Sequence, residues 1–306
     1  MQYRKWLNIW LEDYVKPFAK QSTLKKYTAQ CKLHIEPLLG EYDIDEMSAK
    51  NLRQFTFRLL EKGLAPNSVN GIISTAKQSL WQAYNSGITQ AQNTCAILRS
   101  KVREKRVQCF SRQEQKKIED YVLNSNKPKL CGIVISLYTG VRVGELLALK
   151  WQDIDLEKGT ISITKSCRDG WQDGKYTKIT DITKTQNSVR LIPLPRQIKV
   201  YLRQIKKNSK SEYVVEGRSN QGAEVRTYQR TFEQLLKKLE LSHRGIHSLR
   251  HTFATRALEI GMDIKTLSEI LGHSNPTVTL KRYAHSMLEY KTEIMNKLGR
   301  IIFEKK

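Results

Sequence analysis

The sequence predicts a mainly α-helical protein of the α+β class, in which a helical unit precedes a mixed domain with a small antiparallel sheet. Three observations predict it. The chain has 306 residues, room for two domains at roughly 100–200 residues each, both able to bury a core. In the first third, apolar residues recur at helical spacing. β-Branched runs of period two occur only in the middle of the remainder. These are the signatures of helix and strand, respectively.

Four apolar stripes justify the helical unit. Trp6, Ile9, Trp10 and Val15, with Tyr14, mark the first. Leu24, Tyr27, Cys31 and Ile35 mark the second, which ends near Pro37 and Gly40. Leu52, Phe55, Leu59 and Leu60 mark the third, closed by Gly63. Val69, Ile72, Ile73, Ala76, Leu80 and Tyr84 mark the fourth, closed by Gly87. Each stripe leaves an apolar face that only another helix can cover. The unit spans residues 1–98, and a basic linker, 99–106, follows.

The second domain spans 107–306. Ser111-Arg-Gln-Glu114 is a capping-box pattern ahead of Ile118, Tyr121 and Val122. Ile133 to Leu149 reads as strongly apolar and helical. Ile154 to Ile163 and Val189 to Leu194 read as strands. From Thr227 onward the pattern is helical again, ending in an amphipathic tail of about 287–306.

Lys and Arg number 53 against 30 Asp and Glu, a net charge of +23. A charge of this size implies a polyanionic partner, either nucleic acid or an anionic membrane. Mean hydropathy is −0.53, and no apolar run approaches the ~20 residues of a membrane span. The N-terminus has no signal-peptide core. The protein therefore reads as soluble and cytoplasmic, with no membrane role. The five cysteines are scattered and form no CxxC pair, which argues against a disulfide scaffold or a thiolate zinc site. The linker carries Arg99, Lys101, Arg103, Lys105 and Arg106. Such a run is by default a solvated tether. Between two domains of so basic a chain, it reads better as a strand tracking DNA phosphates.

Three islands carry chemistry. In Thr139-Gly-Val-Arg142-Val-Gly-Glu145, an Arg emerges from an apolar stretch. A half-buried guanidinium needs an anion, and Glu145 can brace it. A purely structural Arg142–Glu145 pair is the competing reading. In His247-Ser-Leu-Arg250-His251, His247 and Arg250 share a helix face, suited to a phosphoryl group and its proton. His247 and His251 are also spaced as metal ligands, but no third ligand stands out. In Leu271-Gly-His273-Ser-Asn-Pro276, one helix ends and the next begins, carrying Tyr283. Singly, a Tyr or a His is more often packing than chemistry. Jointly, two Arg, two His and a Tyr meet the needs of metal-free phosphoryl transfer to a phenol: charge stabilisation, a nucleophile and proton transfer.

These islands, in this order and spacing, resemble the tyrosine recombinase family, the integrases of phages and mobile elements. The resemblance runs from about Phe110 to Ile294. It implies a site-specific recombinase that cuts and rejoins duplex DNA through a 3′-phosphotyrosyl intermediate and a Holliday junction, with no metal and no cofactor. It implies that Arg142 and Arg250 clamp the scissile phosphate, supported by Glu145. His247 assists proton transfer, His273 bonds the phosphate, and Tyr283 is the nucleophile. The family's hairpin lysine falls on Lys184 in Thr183-Lys-Thr-Gln-Asn-Ser-Val-Arg-Leu-Ile-Pro-Leu194, matched to the hairpin's second strand, with Lys178 as the alternative. The first unit resembles the family's core-type DNA-binding domain. Many relatives carry an arm-binding domain ahead of it, so here arm sites are unneeded or the start is missing. Expected partners are duplex DNA with specific sites, three further copies in a tetramer on DNA (monomeric when free), and an accessory directionality factor. A type IB topoisomerase-like enzyme and a catalytically silent DNA-binding regulator are the alternatives.

Overall fold

A computed structural model describes residues 1–91, 99–100, 107–125, 127–172, 175–182, 189–217, 222–283 and 288–303. The chain divides into two compact units, Met1–Lys105 and Arg106–Lys306.

The first unit is helical throughout. It comprises α1 (Tyr3–Ile9), which runs on into a wider turn over Trp10–Val15, then α2 (Gln21–Gln30), short α3 (Glu36–Leu39), α4 (Ala49–Glu61) and α5 (Pro66–Asn85). The apolar stripes meet in one core. Trp6 and Trp10 are buried with Cys31 and Ile35, with Leu52, Phe55 and Leu59 of α4, and with Val69, Ile73 and Leu80 of α5. The indole nitrogen of Trp6 donates to the Ser79 carbonyl at 3.0 Å, so this buried donor is satisfied. Ser48 opens α4 by accepting from the backbone N–H of Asn51, whose side chain accepts from Ser48 in return. Of the linker residues, Arg99 is exposed and reaches Ser74 Oγ at 3.5 Å. Lys101, Arg103, Lys105 and Arg106 lie outside the described residues.

The second unit opens with α6 (Arg112–Leu123). Its capping box forms as the sequence predicts: the Glu114 N–H donates to Ser111 Oγ, and the Ser111 N–H donates to Glu114 Oε2. The run Ile133–Leu149 is not one helix. It splits into α7 (Cys131–Thr139) and α8 (Val143–Ala148). The break is at Gly140, whose φ is +63°. A Cβ there would lie 2.4 Å from the Phe253 ring. The turn thus demands glycine for its left-handed backbone and for the close approach of a neighbouring side chain.

The predicted strand Ile154–Ile163 is likewise two strands, β1 (Ile154–Asp155) and β2 (Thr160–Ile163), joined by a turn. With β5 (Arg190–Pro193) they form an antiparallel sheet of order β1-β2-β5. A separate hairpin pairs β3 (Lys165–Gln172) with β4 (Lys175–Ile182). The sequence reading of 183–194 as the hairpin's second strand is therefore corrected for Arg190–Pro193, and residues 183–188 lie outside the described residues. The hairpin's second strand is β4, and β5 pairs with β2. The paired ends Gln172 and Lys175 are separated in sequence by Asp-Gly, the preferred two-residue hairpin connection.

The hairpin is seated on the rest of the unit. Asp169 accepts from the first two N–H groups of α10 (Val225–Lys238), at 2.9 and 2.7 Å. The remaining helices are α9 (Arg196–Asn208), α11 (His247–Glu259), α12 (Ile264–Leu271), α13 (Pro276–Tyr283) and α14 (Leu288–Phe303). The apolar α7 is buried almost along its whole length and supports both α8 and α11. No described helix is long and apolar enough to cross a membrane.

Candidate active site

The site forms where three chain breaks meet: the Gly140 turn, the start of α11, and the Gly272 turn that closes α12. Arg250, on α11, is buried. It donates from Nη1 to the Gly140 carbonyl at 2.7 Å and from Nη2 to the Leu271 carbonyl at 2.8 Å. The same Nη2 lies 2.8 Å from His273 Nε2. A guanidinium can only donate, so Nε2 is the acceptor and the ring proton sits on Nδ1. That nitrogen donates to Thr279 Oγ1 at 2.7 Å, on α13. Burial, and then the charges of Arg250, Arg142, Arg282 and Arg190, pull the His273 pKa down to about 4.

Arg142 caps α8 and is partly exposed. Its Nη2 donates to the Gly272 carbonyl and its Nη1 to Glu145 Oε1, both at 2.9 Å. Glu145 is buried and accepts in addition from the Arg142 backbone N–H at 2.9 Å. Arg190 of β5 completes the group. Its Nη1 and Nη2 approach the two Glu145 oxygens at 3.2 and 2.8 Å, and its Nε donates to the Ile270 carbonyl at 2.6 Å. Burial alone would raise the Glu145 pKa, but Arg190 and then Arg142 outweigh it and hold it below the ordinary carboxylate range. The result is one buried carboxylate between two guanidiniums, with a third, Arg250, beside them.

Glu145→Ala should destabilise the protein by about 3–5 kcal/mol, because it removes the carboxylate that the buried Arg190 fork faces. Denaturant unfolding measures this, and a loss below about 1 kcal/mol would contradict the geometry.

Tyr283 ends α13 and is 1% exposed. Its hydroxyl is 2.8 Å from His251 Nδ1. Burial raises the Tyr283 pKa to about 12 against the opposing pull of Arg250 and Arg282. His251, whose pKa burial and nearby cations lower to about 4, is neutral at pH 7. Its Nδ1 is thus engaged with the phenol. Among the described residues, no group of three or more His, Cys, Asp and Glu is placed to hold a metal ion. His247 is exposed at the start of α11. Nearby protein mass and then Arg250, Arg282 and Arg142 lower its pKa.

Four of the predicted side chains, Arg142, Glu145, Arg250 and His273, are linked at these turns, Tyr283 lies on α13 against His251, and His247 is exposed at the start of α11. Lys184 lies outside the described residues. Lys178 is on β4, where its Nζ donates to the Leu147 carbonyl at 2.7 Å and lies 4.3 Å from the Tyr213 ring centroid. Burial lowers its pKa. Arg190, His251 and Thr279 were not singled out for these contacts by sequence reasoning. Arg190 had a signal: period two puts it on the same strand face as buried Ile192.

Comparison with known proteins identifies the chain's family. The model of the phage integrase family matches residues 108–289, and that of the phage integrase N-terminal SAM-like domain matches 2–60. The chain belongs to the phage integrase family. It is an integrase-type tyrosine recombinase, an enzyme that cleaves and rejoins DNA. A tyrosine recombinase XerC-like protein of Caldanaerobacter subterraneus subsp. tengcongensis is 27% identical over 96% of this chain and 81% of its own. The transposase from transposon Tn916 of Enterococcus faecalis is 25% identical over 94% and 76%. Among solved structures, the Tn1549 transposon integrase in complex with a circular-intermediate DNA superposes with a TM-score of 0.81 at 23% identity, covering 97% of this chain and 99% of that one. A lambda integrase from a tetramer bound to a Holliday junction gives 0.69 at 22% identity, covering 90% and 79%.

Proposed function

We propose that Tyr283 is the nucleophile of a mobile-element recombinase and that the pocket between Arg142, Arg250 and His273 takes the scissile phosphate. The observation that carries this reading is the convergence of these three side chains on the Gly140 and Gly272 turns, one helix away from the tyrosine. The phenol loses its proton to a neighbouring base, His247 in this reading, as its oxygen attacks phosphorus, and the bond from phosphorus to the 5′ oxygen breaks. A 3′-phosphotyrosyl link forms, and the departing 5′ oxygen takes a proton and leaves as a hydroxyl. A 5′-hydroxyl of a second duplex reverses the step. The ester bond is conserved throughout, so the exchange needs no ATP.

The charges suit this sequence. An entering phosphate supplies the acceptor that Arg250 Nη2 now finds in His273. Its negative charge also favours protonation of His273, which turns Nε2 into a donor to a non-bridging oxygen. Tyr283, sheltered against His251, must leave that contact to reach phosphorus. His247, at the exposed start of α11, takes a share in proton transfer in this reading. Lys184 is the general acid of this reading, because the Lys178 ammonium is already committed to Leu147 and Tyr213. Such a protein works in the cytoplasm on duplex DNA.

The reading is tested with supercoiled DNA bearing two marked copies of the ends of the element that encodes the chain. Exchange of markers between sites is the expected result. Relaxation without exchange would identify a topoisomerase instead. Binding to those ends should weaken by about 10³–10⁵-fold between about 50 and 200 mM salt, as for a protein with several Lys and Arg on phosphates. Titration by gel shift checks this, and a flat response would argue against backbone-dominated binding.

Assembly follows the tail. On α14, Met295, Leu298, Ile301, Ile302 and Phe303 are exposed, an apolar set that suits docking on a neighbouring copy. Repeated head to tail, this contact closes a ring of four on two duplexes and a Holliday junction. Deleting 287–306 should leave single-site binding intact and abolish synapsis. Synaptic complexes of normal yield from the truncated protein would refute it.

A further inference from the structure

We infer that Arg190 is a positioning residue that neutralises Glu145 and thereby leaves the charge of Arg142 free for the scissile phosphate. The inference rests on the proposed placement of Arg142 at that phosphate.

Glu145 is a carboxylate that both Arg142 and Arg190 contact. Alone with Arg142, it would form a neutral pair, and a neutral pair attracts an anion weakly. The two guanidiniums are not equivalent. The Arg190 side chain is 7% exposed and that of Arg142 36%. Arg190 faces both oxygens of Glu145, as a fork facing a carboxylate, whereas the Arg142 side chain reaches one of them. The buried pair is thus Arg190–Glu145, and the unbalanced positive charge falls on the more exposed Arg142. Charge-assisted forks of this kind fix geometry as well as charge.

Arg190 also sets the turn that carries His273. Its Nε bonds the Ile270 carbonyl, and the Gly272 backbone packs against the guanidinium so closely that a Cβ there would meet Nη1 at 2.8 Å. Arg142 donates to the Gly272 carbonyl from its own side. The Gly272 turn is therefore held between two arginines, one placed to meet DNA and one not. β5 thereby gains a part in the chemistry, although Arg190 does not touch the reacting atoms.

The test uses a nicked duplex carrying the element's end, in which cleavage traps the covalent adduct, made with either a normal phosphate or an uncharged methylphosphonate at the scissile position. Arg190→Gln should slow adduct formation at saturating DNA by about 10²-fold, as for a small displacement of a reacting group, with little change in DNA affinity. Methylphosphonate should restore much of the rate relative to wild type, because the substrate then needs one positive charge fewer. Arg142→Ala should be restored in the same way. Ile192→Ala, which loosens the same strand without changing charge, should not. A wild-type rate for Arg190→Gln on normal DNA overturns the inference. So does restoration of Arg142→Ala but not of Arg190→Gln, which leaves the Arg142 placement standing. Restoration of neither overturns that placement and the inference with it. If Arg190→Gln does not fold, the double variant Glu145→Gln with Arg190→Gln carries no orphan charge. It should fold and keep a faster rate on normal DNA than Glu145→Gln combined with Arg142→Ala. Equal rates would again overturn the inference.

Discussion

Tyr283→Phe should bind DNA as the wild type does and form no covalent adduct. The ring is buried against Ala254, Leu258 and Leu267 in a small apolar cluster, so phenylalanine fills the same space. What is lost is one hydroxyl and its hydrogen bond to His251, a net cost of about 1 kcal/mol in stability. The chemical consequence is far larger, since without the phenolic oxygen no ester to phosphorus can form. A labelled nicked duplex run on a denaturing gel reads the outcome. The wild type should give a shifted band that survives detergent, and the variant should give only the noncovalent complex on a native gel. A detergent-resistant band from the variant would remove Tyr283 from the role, whatever the geometry around it.

The tyrosine was legible because it stands in a motif, but its surroundings were not. Arg142 and His273 could be picked out beside Gly140 and Gly272, and Arg250 by sharing a helix face with His247. Those glycines mark the turns on which the site is built. The break in Ile133–Leu149 was missed for a related reason. The run stays apolar through Val141, and hydrophobic periodicity does not register a single left-handed residue. The interrupted strand at 154–163 is a similar case, where Glu157-Lys-Gly159 makes the turn. The four stripes of the first unit were read from periodicity alone and meet in one core, although Ile9 and Tyr84, counted in them, are exposed.

Long-range contacts are another matter. His251 lies 32 residues from Tyr283, and its sequence neighbours suggest only a partner for His247. Arg190 is one basic residue among 53, and only its phase with Ile192 marks it as inward-facing. Residue types and spacing expose the atoms able to do chemistry. Which of them brace the others depends on tertiary packing, and there sequence reasoning stopped. The hairpin shows the limit most clearly. The hairpin pairs β3 with β4, which ends at Ile182, and Arg190–Pro193 pairs with β2 instead, while Lys184 lies outside the described residues.

That pairing sharpens what Lys184→Ala should do. The departing 5′ oxygen is an alkoxide, a poor leaving group until protonated, so losing its general acid should slow cleavage by ~10²–10⁴-fold. Sulfur at that bridging position leaves as a thiolate without needing a proton, because a thiol is far more acidic than an alcohol. Lys184→Ala should therefore recover most of its rate on the sulfur-bridged duplex. Arg142→Ala should not, since its part concerns charge on the non-bridging oxygens. Lys178→Ala should behave differently from both. Its ammonium donates to the Leu147 carbonyl and lies over Tyr213, so its removal loosens the seat of the hairpin and leaves a buried carbonyl short of a partner. The loss should appear in thermal stability and, through the position of the hairpin, in the rates on both substrates alike. Single-turnover cleavage of paired normal and sulfur-bridged duplexes separates the cases. Rescue of Lys178→Ala in place of Lys184→Ala would make β4 the source of the proton, and would require its ammonium to exchange Leu147 for the leaving oxygen. Rescue of neither would leave His247, at the exposed start of α11, as the group to mutate next.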